Sequence, residues 1–89
     1  MTEAYNKACE EVKAAGDWSK NIPNERKLIS YGLFKQITSG DNTNARPWAI
    51  QYEAAAKHDS WLSFKGKSNE ECMKLYVEEW EKQKAEFNK

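Results

Sequence analysis

Tyr31-Gly32-Leu33-Phe34-Lys35-Gln36-Ile37-Thr38-Ser39-Gly40-Asp41 is the stretch on which the reading turns. It has the form of the last turns of a helix, stopped by Ser39-Gly40-Asp41. Leu28, Tyr31 and Lys35 stand at i, i+3 and i+7, so one helical face carries all three. An apolar residue, a phenol and an ammonium make an unusual stripe for a core. Tyr31 offers a flat ring and a hydroxyl; Lys35 offers a charge and three donors, which together suit an anion beside a planar group. A lysine snorkelling off the rim of an amphipathic helix gives the same pattern. The choice between the two falls to the rest of the chain.

Working outward, residues 3–15 place Tyr5, Ala8, Cys9 and Val12 at i, i+3, i+4 and i+7, which predicts an amphipathic helix ending at Gly16. Cys9 lies on the apolar stripe as a small buried hydrophobe, and Lys13 falls in the last turn, where a cation suits the helix dipole. Trp18 sits in a polar loop, either as a lid over a cleft or as a plug against the core. Pro23 is placed to open the second helix at its first position, and that helix is expected to run to about Thr38.

Residues 40–47 are turn and breaker residues throughout. A third helix begins between Trp48 and Ala54 and stops at Gly66, with Lys57, Trp61 and Phe64 on one face. Ser68-Asn69-Glu70-Glu71 fits a capping box and opens the longest helix, about 68–87. Its apolar stripe is Cys72, Met73, Tyr76, Val77, Trp80 and Phe87. Four helices and no strand pattern give an all-α chain.

Eighty-nine residues make one domain, 1–89, able to bury roughly 60–65% of its unfolded surface. Fourteen basic and fourteen acidic residues balance, which argues against nucleic-acid binding and requires any anion site to be a local cluster. A mean hydropathy of −0.97 and the lack of a long apolar run argue against a membrane span. Met1–Lys7 shows no apolar h-region, so no secretory signal is expected. Two cysteines are too few for a disulfide framework and fit free thiols in a reducing compartment.

Catalytic chemistry is hard to assemble. His58 is the single histidine and has no cysteine at ligand spacing, so it reads as a surface residue and not a metal ligand. The carboxylates are scattered, with no marked acid and base pair. Gly66-Lys67-Ser68 looks like the end of a phosphate loop, but Trp61 stands where that motif needs glycine. What remains is a binding surface. Lys35, Lys57, Arg46 and Lys13 are candidates to collect phosphates, and Tyr31 and Tyr76 to flank a base or a chain.

These residues resemble the acyl-CoA-binding proteins. The likeness runs from Tyr5, Ala8 and Glu10-Glu11-Val12-Lys13 through Leu28, Tyr31-Gly32-Leu33-Phe34-Lys35-Gln36, Thr38, Gly40-Asp41 and Arg46-Pro47. It continues through Lys57, Asp59, Trp61, Lys65-Gly66, Ser68, Met73 and Tyr76. The resemblance implies an antiparallel four-helix bundle in up-down-down-up order, with a shallow bowl for a long-chain fatty acyl-CoA ester. It puts Tyr31, Gly32, Leu33, Phe34 and Lys35 of the second helix on the ligand, with Lys13, Lys57 and Tyr76 from the others and Leu28 as a wall of the acyl groove. It further implies a cytoplasmic, monomeric carrier and pool former that is not an enzyme and needs no cofactor or metal. Transient contact with membranes or with acyl-CoA-using enzymes is compatible with it.

Several positions depart from the family pattern. His58 stands where Trp is usual, Trp48 where Gly is common, Phe34 where Tyr is frequent, and Glu53 where many members carry Lys. The loop between the first two helices is a few residues longer than usual and carries Trp18. The competing reading is a helical protein-interaction module whose aromatic groove takes a partner helix.

Overall fold

The computed structural model describes residues 2–48 and 50–88, with the side chain of Thr2 left out. Four α-helices follow one another: α1 (Thr2–Ala14), α2 (Asn24–Ser39), α3 (Tyr52–Leu62) and α4 (Asn69–Phe87). A 3-10 segment, Asp17–Asn21, lies between α1 and α2. No strand occurs among the described residues.

Each helix boundary has a local cause. Pro23 caps α2 and does not open it: its ψ of 149° is extended, and its carbonyl accepts from the N–H groups of Arg26 and Lys27 at 3.0 and 3.1 Å. The helix therefore starts one residue later than expected. At its other end Gly40 takes φ +77°, and its N–H donates to the Gln36 carbonyl at 3.1 Å. A side chain there would meet no neighbour within 4 Å, so the need for glycine is conformational. Helix α3 ends at Leu62, before Gly66, because the chain tightens into three-residue turns: Phe64 N–H donates to Trp61 and Lys65 N–H to Leu62. Ser68 caps α4 by accepting from the Glu71 N–H at 3.2 Å, as its sequence context predicts.

Cross-helix contacts fix the topology. Tyr5 meets Tyr76, and Glu11 meets Trp80 and Lys84, so α1 and α4 run the same way. Arg26 meets Glu86 while Gln36 reaches Lys67, so α2 runs against α4. Tyr31 pairs with Lys57 and Lys35 with Trp61, so α2 and α3 are parallel. The order is up-down-down-up.

The core gathers Tyr5, Ala8, Ile22, Leu33, Cys72, Tyr76 and Trp80. Trp18 settles as the plug: its ring lies on Trp80, centroids 5.5 Å apart at 32°. Cys9 is half-buried at the edge of this cluster and Cys72 wholly inside it; both are free thiols. Burial raises the Cys72 thiol above its ordinary value. Polar side chains enter the same interface. Glu79 accepts from Arg26 Nε and from Gln83 Nε2, each at 2.8 Å, and Gln83 also donates to the Arg26 carbonyl at 3.1 Å. These groups are buried because each finds a partner from the facing helix.

Candidate ligand groove

Helices α2 and α3 approach closely because Gly32 faces Ser60. A Cβ on Gly32 would lie 2.6 Å from the Ser60 carbonyl oxygen, so only glycine lets the helices cross there. Ser60 Oγ donates to the Leu28 carbonyl and locks the crossing. Away from this point the helices diverge and leave a groove of about 520 Å³. Asn24, Lys27, Leu28 and Tyr31 line it from α2; Tyr52, Glu53, Ala56 and Lys57 line it from α3.

The floor and walls are apolar or aromatic, through Leu28, Tyr31, Tyr52 and Ala56. The charged groups are Lys27, Lys57 and Glu53, two ammoniums against one carboxylate, for a local balance of +1. Lys57 Nζ rests over the Tyr31 ring, 5.5 Å from its centroid. Lys35 Nζ rests 4.8 Å from the Trp61 ring, whose Nε1 donates to the Gly40 carbonyl at 2.8 Å. Each cation is thus parked on an aromatic face, close to the groove or one turn beyond it. An amphipathic ligand with an anionic end fits such a site: the walls take the apolar part and the two lysines turn to the charge.

The nine residues expected at the ligand fall into separate places. Leu28, Tyr31 and Lys57 line the groove together. Lys35 follows on the same helix but lies against Trp61. Lys13 is exposed in the last turn of α1, and Phe34 is exposed on α2. Gly32 forms the helix crossing, and Leu33 is inside the core. Tyr76 is only 6% exposed and packs edge-on against Tyr5, centroids 5.2 Å apart. Burial pushes its hydroxyl up to about 12, with Cys9 adding to the effect, and raises that of Tyr5 as well. Asn24, Lys27, Tyr52 and Ala56 were not singled out from the sequence. Helical spacing would have found the first two, since residues 24, 27, 28 and 31 form one stripe.

Two expectations change beside the groove. His58 is not a surface residue: its side chain is 10% exposed. Nε2 donates to the Asn44 carbonyl at 3.0 Å, and Nδ1 lies 3.5 Å from Asp59. Arg46 is engaged by Asp59 through two contacts of 3.0 Å, a planar fork on a carboxylate, and so is not a free phosphate collector. That pairing, followed by His58, holds the Asp59 carboxyl below the ordinary carboxylate range. Asp41 is lowered too, first by Gln36 and then by the Gly66 N–H, which donate to it at 2.8 and 2.9 Å. With Asn42 donating to the His58 carbonyl at 3.2 Å, these bonds strap the α2–α3 connection onto α3. No cluster of histidine, cysteine and carboxylate groups suited to a metal occurs among the described residues. No helix among them is long and apolar enough to cross a membrane.

Comparison with known proteins returns one family. The family model described as acyl CoA binding protein matches residues 2–80. An acyl-CoA-binding protein of Dictyostelium discoideum is 40% identical over 73 residues, covering 82% of this chain and 83% of its own. An acyl-CoA-binding protein homolog of Drosophila melanogaster is 35% identical over 77 residues, covering 86% of each. The crystal structure of Oryza sativa acyl-CoA-binding protein 2 superposes with a TM-score of 0.86 at 34% identity, over 99% of this chain and 92% of that one.

Proposed function

Because the chain belongs to the acyl-CoA-binding protein family, we propose that its α2–α3 groove takes a long-chain fatty acyl-CoA ester and that the protein carries and buffers such esters in the cytoplasm. The observation that carries this reading is the parking of Lys57 on Tyr31 beside an apolar wall. The acyl tail lies along Leu28 and Ala56, and each methylene withdrawn from water contributes about 0.8 kcal/mol. Ordering of tail and side chains offsets part of that gain. Lys57 leaves the Tyr31 ring for phosphate and frees that ring for the adenine. Lys35 leaves Trp61, and Lys13 reaches in from α1, to share the phosphates. Phe34 borders the head group. Gly32, Leu33 and Tyr76 serve from behind, holding α2 and α4 in place.

In this reading residues 1–89 are one monomeric binding domain. It catalyses nothing, needs no cofactor or metal and has no affinity for nucleic acid. Calorimetry with palmitoyl-CoA below its micelle concentration tests the reading, with one-to-one binding in the micromolar range or tighter expected. Competition by free CoA separates a nucleotide site from a groove for a partner helix, since the latter has no use for a 3′-phosphate. A steady thiol titre on incubation with the thioester is expected of a carrier, and a rising one of a hydrolase.

A further inference from the structure

Three large side chains stand out of the fold in a run of five residues. Trp48 is 82% exposed, Ile50 79% and Tyr52 80%. The Gln51 N–H donates to the Trp48 carbonyl at 2.8 Å, just before α3 begins at Tyr52. Immediately before the turn, the connection is tied to α3 by polar bonds: Arg46 to Asp59, His58 to Asn44 and Asn42 to the His58 carbonyl. The polar groups of this connection are engaged by α3, and Trp48, Ile50 and Tyr52 face water.

Tyr52 also lines the groove, so the projecting patch and the groove share a residue. Three such side chains offer about 500 Å² of contact. A stable protein interface needs about 800 Å² from each partner, so a second copy of this chain or a folded partner would find the patch too small. A bilayer has no such threshold: a few side chains enter the headgroup region one by one, and Trp and Tyr, apolar at one end and polar at the other, suit that depth. Charge adds little, because Arg46 is paired with Asp59 and Glu53 sits one turn from Lys57.

We propose that the Trp48–Tyr52 segment is a membrane-docking tip that inserts Trp48 and Ile50 into the headgroup region and sets the groove mouth against the lipid. The inference rests on the reading of the groove as a site for a lipid thioester, which would then pass between bilayer and groove with little exposure to water.

The full chain is sedimented with phosphatidylcholine vesicles at low and high salt, and calorimetry with palmitoyl-CoA is run in parallel without vesicles. Binding to the vesicles is expected at both salt concentrations, with a partition coefficient that falls about tenfold or more in the Trp48→Ser/Ile50→Ser double variant. The double variant, checked for helicity by circular dichroism, keeps its solution affinity for palmitoyl-CoA. Trp48→Phe keeps vesicle binding but loses the part of the emission that brominated acyl chains quench. No vesicle binding by the wild type, or binding that salt abolishes and the double variant retains, overturns the proposal. So does a dimer in sedimentation equilibrium that the double variant dissolves while vesicles are ignored. Failure to bind palmitoyl-CoA would remove the groove reading instead, a result distinguishable from these.

Discussion

Helix α2 meets a hydrogen-bonded interface on one side and an open groove on the other. Toward α4 it finds Tyr76, Trp80 and the Arg26–Glu79–Gln83 network, where every long side chain has a fixed partner. Toward α3 it touches closely at Gly32 and Ser60, then parts to leave a groove where Lys57 rests on the Tyr31 ring. The first interface is specified by a buried hydrogen-bond network, which makes its arrangement costly to leave. The second holds its cations by weak, exposed contacts that a ligand can replace. With the groove as the proposed binding site, stability and binding fall on different faces of one helix, and substitutions should separate them.

The largest effect is expected at the hydrogen-bonded interface. Trp80→Ala removes the partner of Trp18 and leaves Glu11 without its indole donor, costing about 3–5 kcal/mol of stability in urea unfolding. The fraction that remains folded should bind acyl-CoA normally. If its affinity collapses as well, the two faces are not independent. Next comes Gly32→Ala, the one substitution that should damage both. Its Cβ meets the Ser60 backbone, so α3 must shift; about 1–3 kcal/mol of stability and several-fold in affinity should be lost together. On the open face, Tyr31→Ala and Lys57→Ala should each weaken palmitoyl-CoA binding about tenfold while moving the melting temperature little, and Tyr31→Phe should be milder than Tyr31→Ala. Unchanged calorimetric affinity in both alanine variants would remove the groove from the binding account.

The two regions should also separate with pH. Tyr76 favours its neutral form in the fold, so its contribution is complete below about 10, the value in an unfolded chain. That contribution is lost as pH rises through about 12. Asp59 is held below its ordinary value, so its contribution is present above about 3.9 and is lost as pH falls through the folded value. In urea unfolding across pH, Tyr76→Phe should flatten part of the alkaline limb alone, and Asp59→Asn part of the acid limb alone. The smallest effect is expected from Glu53→Lys, which turns a local balance of +1 into +3 and should tighten binding a few-fold at low salt, with the gain fading as salt rises.

How far the sequence carried the reading depends on whether the cause was local. The Ser68 cap, the Gly40 stop and the stripe of Cys72, Tyr76 and Trp80 were legible because each depends on spacing within a few residues. The burial of Glu79 and Gln83 was not, because their partner Arg26 lies more than fifty residues away. His58 and Arg46 were misplaced for a similar reason: residues 42–46 double back onto α3, and no periodic pattern announces that contact. Of the candidate site, Leu28, Tyr31 and Lys57 could be named from pattern and resemblance. The parking of Lys35 on Trp61 depends on how two helices cross, and a single helical face cannot reveal it.

The pairing of α1 with α4 has a kinetic consequence. Glu11 and Lys84 are seventy-three positions apart, and Tyr5 finds Tyr76 across almost the same span. A ribosome releases α1 long before α4, so α1 must wait, its Tyr5–Ala8 face bare, until α4 has emerged. The nascent chain should gain its protease resistance in one late step, when α4 emerges, not helix by helix.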